Sequence, residues 1–178
     1  MKNTFITKIK GWRTNHPFFV IASLIALQIV VFYIFYWTPS LEQNVFEPLV
    51  NVYAHLASSV LNIFGYQTSV LYDTIKSNQF SVGIRKGCDA LEPMALLVAG
   101  VIAFPATLKQ KFSGLFFGLL FLFCLNVVRI VSLFLTGVYR PQSFEVMHIE
   151  VWQVIFIVAG IGFWFLWVRS VVNKTKPA

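Results

Sequence analysis

A cysteine, two acidic residues and a proline lie together just before a long apolar run. The stretch is RKGCDALEP, residues 85–93, and MALLVAGVIAF follows it. A lipid-facing helix needs none of these residues, so the thiol of Cys88 is a candidate nucleophile at the start of a membrane helix. The free N–H groups and the positive dipole end of such a helix favour the thiolate, whereas Asp89 and Glu92 oppose it. A small apolar filler is the alternative role for Cys88.

A basic residue, Arg129, lies inside the apolar run FLFCLNVVRIVSLFLTG. A central arginine costs about 2.5–3.5 kcal/mol on membrane-insertion scales, so it needs a partner or a function. At about 100° per residue, a polar stripe covers an arc of about 120° and must face protein or a water-filled cavity. This stripe consists of Asn126, Arg129, Ser132 and Thr136. A structural ion pair of Arg129 with Glu92 or Glu150 is the alternative.

A histidine, His148, lies in FEVMHIEVWQ at the start of a further apolar run. Cysteine proteases and transpeptidases need a nucleophile, a proton carrier that titrates near neutral pH and a fixed positive donor. Cys88, His148 and Arg129 supply these three groups at the outer ends of three predicted membrane helices. His55 is a second candidate proton carrier, and an interfacial polar residue is the alternative role for His148.

Other candidate sites are less well supported by the sequence. Cys124 lies about 140° around its helix from Arg129, which predicts a packing role and no disulfide with Cys88. Glu145-x-x-His148 is half of a di-iron pattern without its second half, and HIEVW is not H-E-x-x-H. We therefore expect no metal and no other cofactor. An outer-face metal site formed by Cys88, His148 and nearby acids is kept as an alternative.

The composition is typical of an integral membrane protein. Of the 178 residues, 57% are hydrophobic and 12% are charged, against about 25% charged residues in soluble domains. Four apolar runs are long enough, or nearly so, to cross a hydrocarbon core of about 30 Å. They cover about residues 17–37, 90–108, 112–138 and 149–168. The chain shows no internal repeat and no long linker, so we expect residues 1–178 to form a single polytopic membrane domain.

The distribution of charge predicts the topology. With the N-terminus in the cytoplasm, the inner segments 1–16, 109–111 and 169–178 hold nine Lys and Arg residues and no acid. All seven acids lie outside or at the outer interface. The positive-inside rule therefore favours both termini inside and places the candidate site on the outer side of the membrane. The net charge of +7 follows from this topology and predicts no nucleic-acid partner.

The predicted outer segment, 38–87, has its own organisation. Residues 44–65 have an apolar and a polar helical face, which predicts an amphipathic helix at the outer interface, capped by Asn44 and ended by Gly65. Its predicted apolar face consists of Val45, Leu49, Val52, Tyr53, Leu56, Val60 and Ile63. Alternation in QFSVGIR and a polar KSN turn predict a short β-hairpin over 69–85. The fold class is therefore an all-α membrane protein with about four spans and these two outer elements.

Three segments in this order, GCDALEPMALLVAGVIAFP, LNVVRIVSLF and FEVMHIEVWQ, resemble the exosortase/archaeosortase family. The match is closest to the compact H-type exosortases and covers about residues 80–155. The resemblance implies a membrane cysteine enzyme that recognises exported proteins by a C-terminal signal composed of a short motif, a transmembrane helix and a basic tail. By position it makes Cys88 the nucleophile, Arg129 the transition-state stabiliser and His148 the proton carrier. Many relatives have Ser-Gly or Asn-Gly where this chain has Asp89-Ala90.

We therefore expect a membrane cysteine endopeptidase or transpeptidase, a hydrolase whose thioester acyl-enzyme is resolved by an amine or by water. Four residues are expected to support the site or to line the substrate path, namely Asp89, Glu92, Asn126 and Glu150. A non-catalytic membrane assembly or carrier protein, in which Arg129 and the outer acids stabilise the bundle, is the alternative. The sequence leaves the oligomeric state open.

Overall fold

The computed structural model describes residues 17–39 and 42–175, and these residues are mostly helical. Their α-helices are α1 (Pro17–Tyr36), α2 (Glu47–Ile63), α3 (Leu91–Ala103), α4 (Leu108–Tyr139) and α5 (Trp152–Thr175). Two π-helical turns, Glu42–Phe46 and Val146–Val151, precede α2 and α5, and a 3-10 turn spans Pro141–Ser143. Segments Leu108–Tyr139 and Val146–Asn173 are long and apolar enough to cross a membrane. The shorter helices Ile21–Tyr36 and Leu91–Ala103 are also apolar.

Helix α3 is shorter than the predicted span over residues 90–108. It ends at Ala103 because Phe104 has an extended backbone with ψ 136°, as expected for a residue that precedes proline. Its 13 residues therefore cover about 20 Å at 1.5 Å per residue, less than a hydrocarbon core. Helix α4 begins directly afterwards, with a capping box formed by Thr107 and Gln110. Four crossings with both termini inside remain a prediction.

Helix α2 starts later than predicted. The π-helical turn places Asn44 before the helix, and the N-cap position is taken by Phe46, which makes no side-chain cap hydrogen bond. Pro48 in the first turn suits this start, because its missing N–H has no intrahelical partner there. Gly65, the predicted stop, lies just beyond the C-terminal end in the left-handed conformation (φ +89°).

The buried face of α2 also differs from the predicted apolar face. Its buried residues are Val50, Tyr53, Ala54, Ala57, Ser58 and Leu61. Two alanines on this face are fully buried where α2 packs on α4, because small side chains let two helices approach closely. Val52, Leu56 and Ile63 of the predicted face are exposed, Ile63 by 82%. Apolar residues thus lie on both sides of α2, and its position at a membrane interface remains a prediction.

Residues 69–83 form a three-stranded antiparallel sheet, where the sequence predicted a two-stranded hairpin. The strands are β1 (Ser69–Leu71), β2 (Thr74–Lys76) and β3 (Ser81–Gly83), in that order. The additional turn lies at Tyr72, whose φ is +55°, and the predicted KSN turn joins β2 to β3. Ile75 and Val82 are paired across the sheet and belong to the same buried cluster as Phe134 of α4. The sheet therefore packs on the bundle and leads the chain into Gly87 and Cys88.

Helix α4 is central, since it contacts α2, α3, α5 and β3. One buried cluster joins α2, the sheet and α4, and a second joins α3, α4 and α5. Cys88 belongs to the first cluster and Ala90 to the second. The chain thus passes from one core to the other at this point, and the candidate site lies at the crossing.

Candidate active site

The thiol of Cys88 lies against the imidazole of His148. The distance from Sγ to Nε2 is 2.6 Å, although the two residues are 60 positions apart in the chain. Cys88 is 6% exposed, so the contact is largely shielded from solvent. A sulfur nucleophile in direct contact with an imidazole is the arrangement needed for proton transfer during attack on a carbonyl. The structure therefore brings together the predicted nucleophile and the predicted proton carrier.

His148 lies in the π-helical turn that precedes α5. The N–H of Trp152 bonds to the carbonyl of Met147, five residues back, whereas an α-helix would use the carbonyl of His148. That carbonyl instead accepts a hydrogen bond of 3.2 Å from Nη2 of Arg129. Single π-helical turns are frequent at functional sites. In this turn the carbonyl of His148 is available to accept the hydrogen bond from Arg129 of α4.

Arg129 connects the two sides of the site. Its Nη1 donates to the carbonyl of Gly87 at 3.1 Å, and its Nη2 donates to the carbonyl of His148. The guanidinium carbon lies 5.6 Å from the ring centroid of Phe156. The residue is 7% exposed, and its Nε is buried without a hydrogen-bond partner in the described structure. The guanidinium thus binds both Gly87, which precedes Cys88 in the chain, and His148.

The charge of Arg129 has no carboxylate counterpart among residues 17–39 and 42–175. An ion pair joins Arg85 to Asp73 at 3.4 Å, and no such pair joins Arg129 to a carboxylate among the described side chains. Glu92 instead accepts a hydrogen bond of 3.0 Å from the hydroxyl of Tyr33, and Glu150 is exposed. The structure therefore contains neither of the two ion pairs proposed as the structural role of Arg129. A buried cation surrounded only by dipoles favours a nearby negative charge.

The predicted polar stripe of α4 faces the site. Asn126 is fully buried, and its Nδ2 donates to the carbonyl of Cys88 at 3.0 Å. Ser132 accepts a hydrogen bond of 2.9 Å from the indole N–H of Trp152. We call residues 84–90, which join β3 to α3, the cysteine loop. The stripe thus binds the backbone of the cysteine loop on one side and the first residue of α5 on the other.

The carboxylate of Asp89 is bound by the first residue of α3 and by Tyr36 of α1. Its Oδ1 accepts from the N–H of Leu91 at 3.0 Å, and its Oδ2 accepts from the hydroxyl of Tyr36 at 2.8 Å. Burial raises the pKa of the Asp89 carboxyl, and these two hydrogen bonds oppose that rise. The start of α3 is therefore bound to the carboxylate of Asp89, whereas the sequence suggested that it would stabilise a thiolate at Cys88.

The protonation of Cys88 follows from its surroundings. Burial raises the pKa of its thiol above the ordinary value, and the positive charge of Arg129 partly offsets this rise. A cysteine with a raised pKa is protonated near neutral pH. To act as a nucleophile, the thiol would therefore have to transfer its proton to a base, and His148 is in contact with it.

A cavity of about 690 Å³ opens beside the site, between α1, α3 and α5. One end is polar and is lined by Gly87, Glu92, Arg129 and His148. The rest is mainly apolar and is lined by residues that include Ile25, Ile29, Phe32, Leu96, Gly100, Ile157, Gly160, Ile161 and Trp164. The thiol of Cys88 contacts the lining residue His148 but does not itself line the cavity.

Several predicted candidates lie apart from this arrangement. His55 is exposed on α2 and takes no part in the contacts that position Cys88. Cys124 is exposed, so its predicted packing role is wrong, and both cysteines are free. Within the described ranges, no group of three or more His, Cys, Asp and Glu side chains could hold a metal ion.

Sequence reasoning missed the contribution of α1. Tyr33 and Tyr36 bond to Glu92 and Asp89, and the ammonium of Lys86 lies 5.0 Å from the ring centroid of Trp37. Tyrosines at the end of a membrane helix are expected in any interfacial aromatic belt, so their presence alone is not informative. Their i, i+3 spacing, which places both on one helical face, was the available signal.

Comparison with known families gives a match over most of the chain. Residues 15–169 match the model of the family described as transmembrane exosortase (Exosortase_EpsH). No curated protein and no solved structure gives a significant match. The matched range covers most of the 178 residues and includes every residue of the site, from Tyr33 on α1 to Trp164 on α5. The chain therefore belongs to the transmembrane exosortase family.

Proposed function

We propose that this protein is a membrane cysteine endopeptidase or transpeptidase that cleaves the C-terminal sorting signals of exported proteins. Exosortases are of the cysteine peptidase and transpeptidase type. The observation that carries the proposal is the 2.6 Å contact of Cys88 with His148, together with a buried guanidinium that bonds to both sides of it. The residue set supplies a nucleophile, a base and a positive donor within one connected network.

The first step is attack by sulfur. As the Cys88 Sγ–C bond forms at the scissile carbonyl, the thiol proton moves to Nε2 of His148, and the carbonyl electron pair moves to its oxygen. Arg129 stabilises that oxyanion through N–H groups that are not used by the carbonyls of Gly87 and His148. The positive charge of Arg129 is suited to stabilising the oxyanion, because no carboxylate within 4 Å in the described structure neutralises it.

The second step is collapse of the intermediate to a thioester. The C–N bond breaks, and the proton on His148 passes to the leaving amine. An acceptor amine or water then attacks the thioester carbonyl and transfers a proton to the imidazole, which returns it to the departing thiolate. With an amine acceptor the enzyme is a transpeptidase, and with water it is a hydrolase. Both outcomes use the same three side chains.

The cavity supports a substrate with a transmembrane helix. Its lining runs along α3 from Glu92 to Gly100, which corresponds to about 12 Å at 1.5 Å per residue. The polar end lies at the catalytic residues, and the apolar part lies between three apolar helices. A peptide cleaved at the polar end would therefore continue along the apolar part, as expected for a motif followed by a membrane helix. Small residues such as Gly160 permit close approach of another helix.

The location follows from the same proposal. Exported proteins reach the outer leaflet, so the site belongs on the outer, periplasmic side of a bacterial inner membrane, with both termini in the cytoplasm. The predicted inner segments hold nine basic residues and no acid, which supports this orientation.

The proposal is tested by replacement of the cysteines. The protein would be co-expressed with an exported protein of the same genome that ends in a transmembrane helix and a basic tail. Cys88→Ala should abolish cleavage, while Cys124→Ala, the matched control on an exposed face, should cleave normally. With a slow acceptor, the wild type should accumulate a substrate adduct that hydroxylamine removes. Cleavage by Cys88→Ala, with normal membrane insertion, would refute the assignment.

The cavity is tested by two glycines of α5. A Cβ at Gly160 or at Gly162 would meet no atom within 4 Å, so both positions have room for a side chain, but only Gly160 lines the cavity. Gly160→Trp should fill it and raise KM at least tenfold, whereas Gly162→Trp should leave KM unchanged. Equal effects of the two substitutions on cleavage would show that the substrate does not occupy this cavity.

A further inference from the structure

The last turn of α1 contacts the cysteine loop through one buried hydroxyl. Tyr36 is 4% exposed, and its hydroxyl donates to Oδ2 of Asp89 at 2.8 Å. The same oxygen accepts a hydrogen bond from the N–H of Gly87 at 3.3 Å. Gly87 and Asp89 are the two neighbours of Cys88 in the chain. The hydroxyl therefore binds the residue on each side of the candidate nucleophile.

The conformation of this loop explains why it needs external contacts. Gly87 has φ +86° and Ala90 has φ +59°, and the left-handed region is costly for a residue with a Cβ. The loop has few backbone hydrogen bonds of its own; the N–H of Cys88 bonds to the carbonyl of Arg85 at 2.8 Å. Side chains of α1 and α4 bind the N–H and carbonyl of Gly87 and the carbonyl of Cys88. A strained backbone persists only where its surroundings determine it in this way.

The two helices that bind the loop contribute different contacts. Asn126 and Arg129 of α4 bind the carbonyl groups of Cys88 and Gly87. Tyr36 of α1 binds the N–H of Gly87 and the side chain of Asp89. The α1 contact therefore binds groups of the loop that the α4 contacts do not reach.

We infer that Tyr36 is a positioning residue, which fixes the Cys88 sulfur against His148 by binding Gly87 and Asp89. The inference rests on the proposed function in so far as Cys88 is the nucleophile. Tyr36 does not line the cavity, whereas Tyr33, one turn earlier on the same helix, does. The hydroxyl of Tyr36 should therefore affect the chemical step and not substrate binding.

The substitution Tyr36→Phe removes the hydroxyl and keeps the ring, which stacks on Phe32 at 5.2 Å between centroids. We expect kcat to fall by about 100-fold with KM unchanged, because displacement of a reacting group by about 1 Å costs this much. Tyr66→Phe is the matched control, since it removes a hydroxyl that bonds to Tyr139 away from the loop. The kcat and KM of Tyr66→Phe should equal those of the wild type. An unchanged kcat in Tyr36→Phe, or a change in KM alone, would overturn the inference.

Asp89 provides an independent pair of variants. Asparagine can accept from the Leu91 N–H through Oδ1 and donate through Nδ2 to the hydroxyl oxygen of Tyr36, so Asp89→Asn should retain most of kcat, whereas Asp89→Ala should lose about as much as Tyr36→Phe. The double variant Tyr36→Phe/Asp89→Ala should lose far less than the product of the two single losses, because both remove one contact. Fully additive losses would show that Tyr36 acts elsewhere.

A measurement without substrate separates this inference from the proposed function. The chain has two cysteines, so a Cys124→Ala background leaves Cys88 as the only thiol for iodoacetamide. In this background Tyr36→Phe should raise the alkylation rate several-fold, and Tyr66→Phe should not. If Cys88→Ala still cleaves substrate, the proposed function is wrong, while the alkylation rate still decides the role of Tyr36. If Cys88→Ala is inactive and Tyr36→Phe alkylates and cleaves like the wild type, this inference alone is wrong.

Discussion

Substitution of Arg129 by lysine is the most informative perturbation of the proposed catalytic network. The guanidinium bonds to the carbonyls of Gly87 and His148 at 3.1 and 3.2 Å with two different nitrogens. An ammonium is a single point of charge on a flexible stem, so it cannot bond to both carbonyls and also face the substrate. Arg129→Lys should therefore lose the oxyanion donor although it keeps the charge.

The expected magnitude follows from that lost donor. Removal of one preorganised oxyanion donor lowers kcat by about 10²–10³, which corresponds to about 2.7–4 kcal/mol. The loss of one hydrogen bond to a charged group also lowers the free energy of unfolding by about 1.5–3 kcal/mol. Kinetics of cleavage and thermal unfolding of the purified protein in detergent would measure the two effects separately.

Matched variants make the result decisive. Arg85→Lys is the control for the side-chain change, because Arg85 lies close to Cys88 in sequence but its side chain is exposed and pairs with Asp73. It should keep wild-type kcat. Arg129→Met removes the buried charge; it should be inactive but should still fold, because the cost of burying a cation, about 2.5–3.5 kcal/mol, is removed as well. A wild-type kcat in Arg129→Lys, or complete loss of folding in Arg129→Met, would refute this account of the arginine.

Two further predictions concern the loop and the topology. Gly87→Ala should lower kcat at least tenfold because its φ of +86° is unfavourable for alanine, whereas Ala90→Gly should keep or improve stability. Kinetics and thermal unfolding of both variants check this. A Gly87→Ala variant with wild-type kcat would contradict it. Reporter fusions after Lys111 and after Gly65 should report the inside and the outside respectively. The reverse pattern would place Cys88 on the cytoplasmic side.

The three central residues could be predicted because each lies where its type is costly or unexpected. Arg129 interrupts a run of apolar residues, and its cost in a membrane predicts a function or a partner. Cys88 and His148 lie next to the starts of other apolar runs. Helical periodicity then placed Asn126 on the same face as Arg129, and the structure shows that both bind the cysteine loop.

The contacts of α1 could not be predicted in this way. Tyr36 and Asp89 are 53 residues apart, and no periodic pattern connects positions on two different helices. The end of α3 was predicted too late, at about residue 108, because the apolar run continues through Pro105. In the structure the backbone leaves the helix at Phe104, the residue before the proline. The π-helical turn at His148 is accompanied by a hydrogen bond from α4 to a backbone carbonyl, a contact between distant segments that local sequence does not encode.

The site contains two buried ionisable groups of opposite charge that do not form an ion pair. Asp89 is bound by the N–H of Leu91 and by Tyr36, and Arg129 is bound by two backbone carbonyls. A direct pair would stabilise both charges, but it would also neutralise the guanidinium where the oxyanion forms. The hydrogen bonds of Asp89 come from α1 and α3 and those of Arg129 go to the carbonyls of Gly87 and His148, so each charge is bound by separate groups. On the proposed mechanism, the contact from α1 would thus both position the thiol and leave the positive charge available to the substrate.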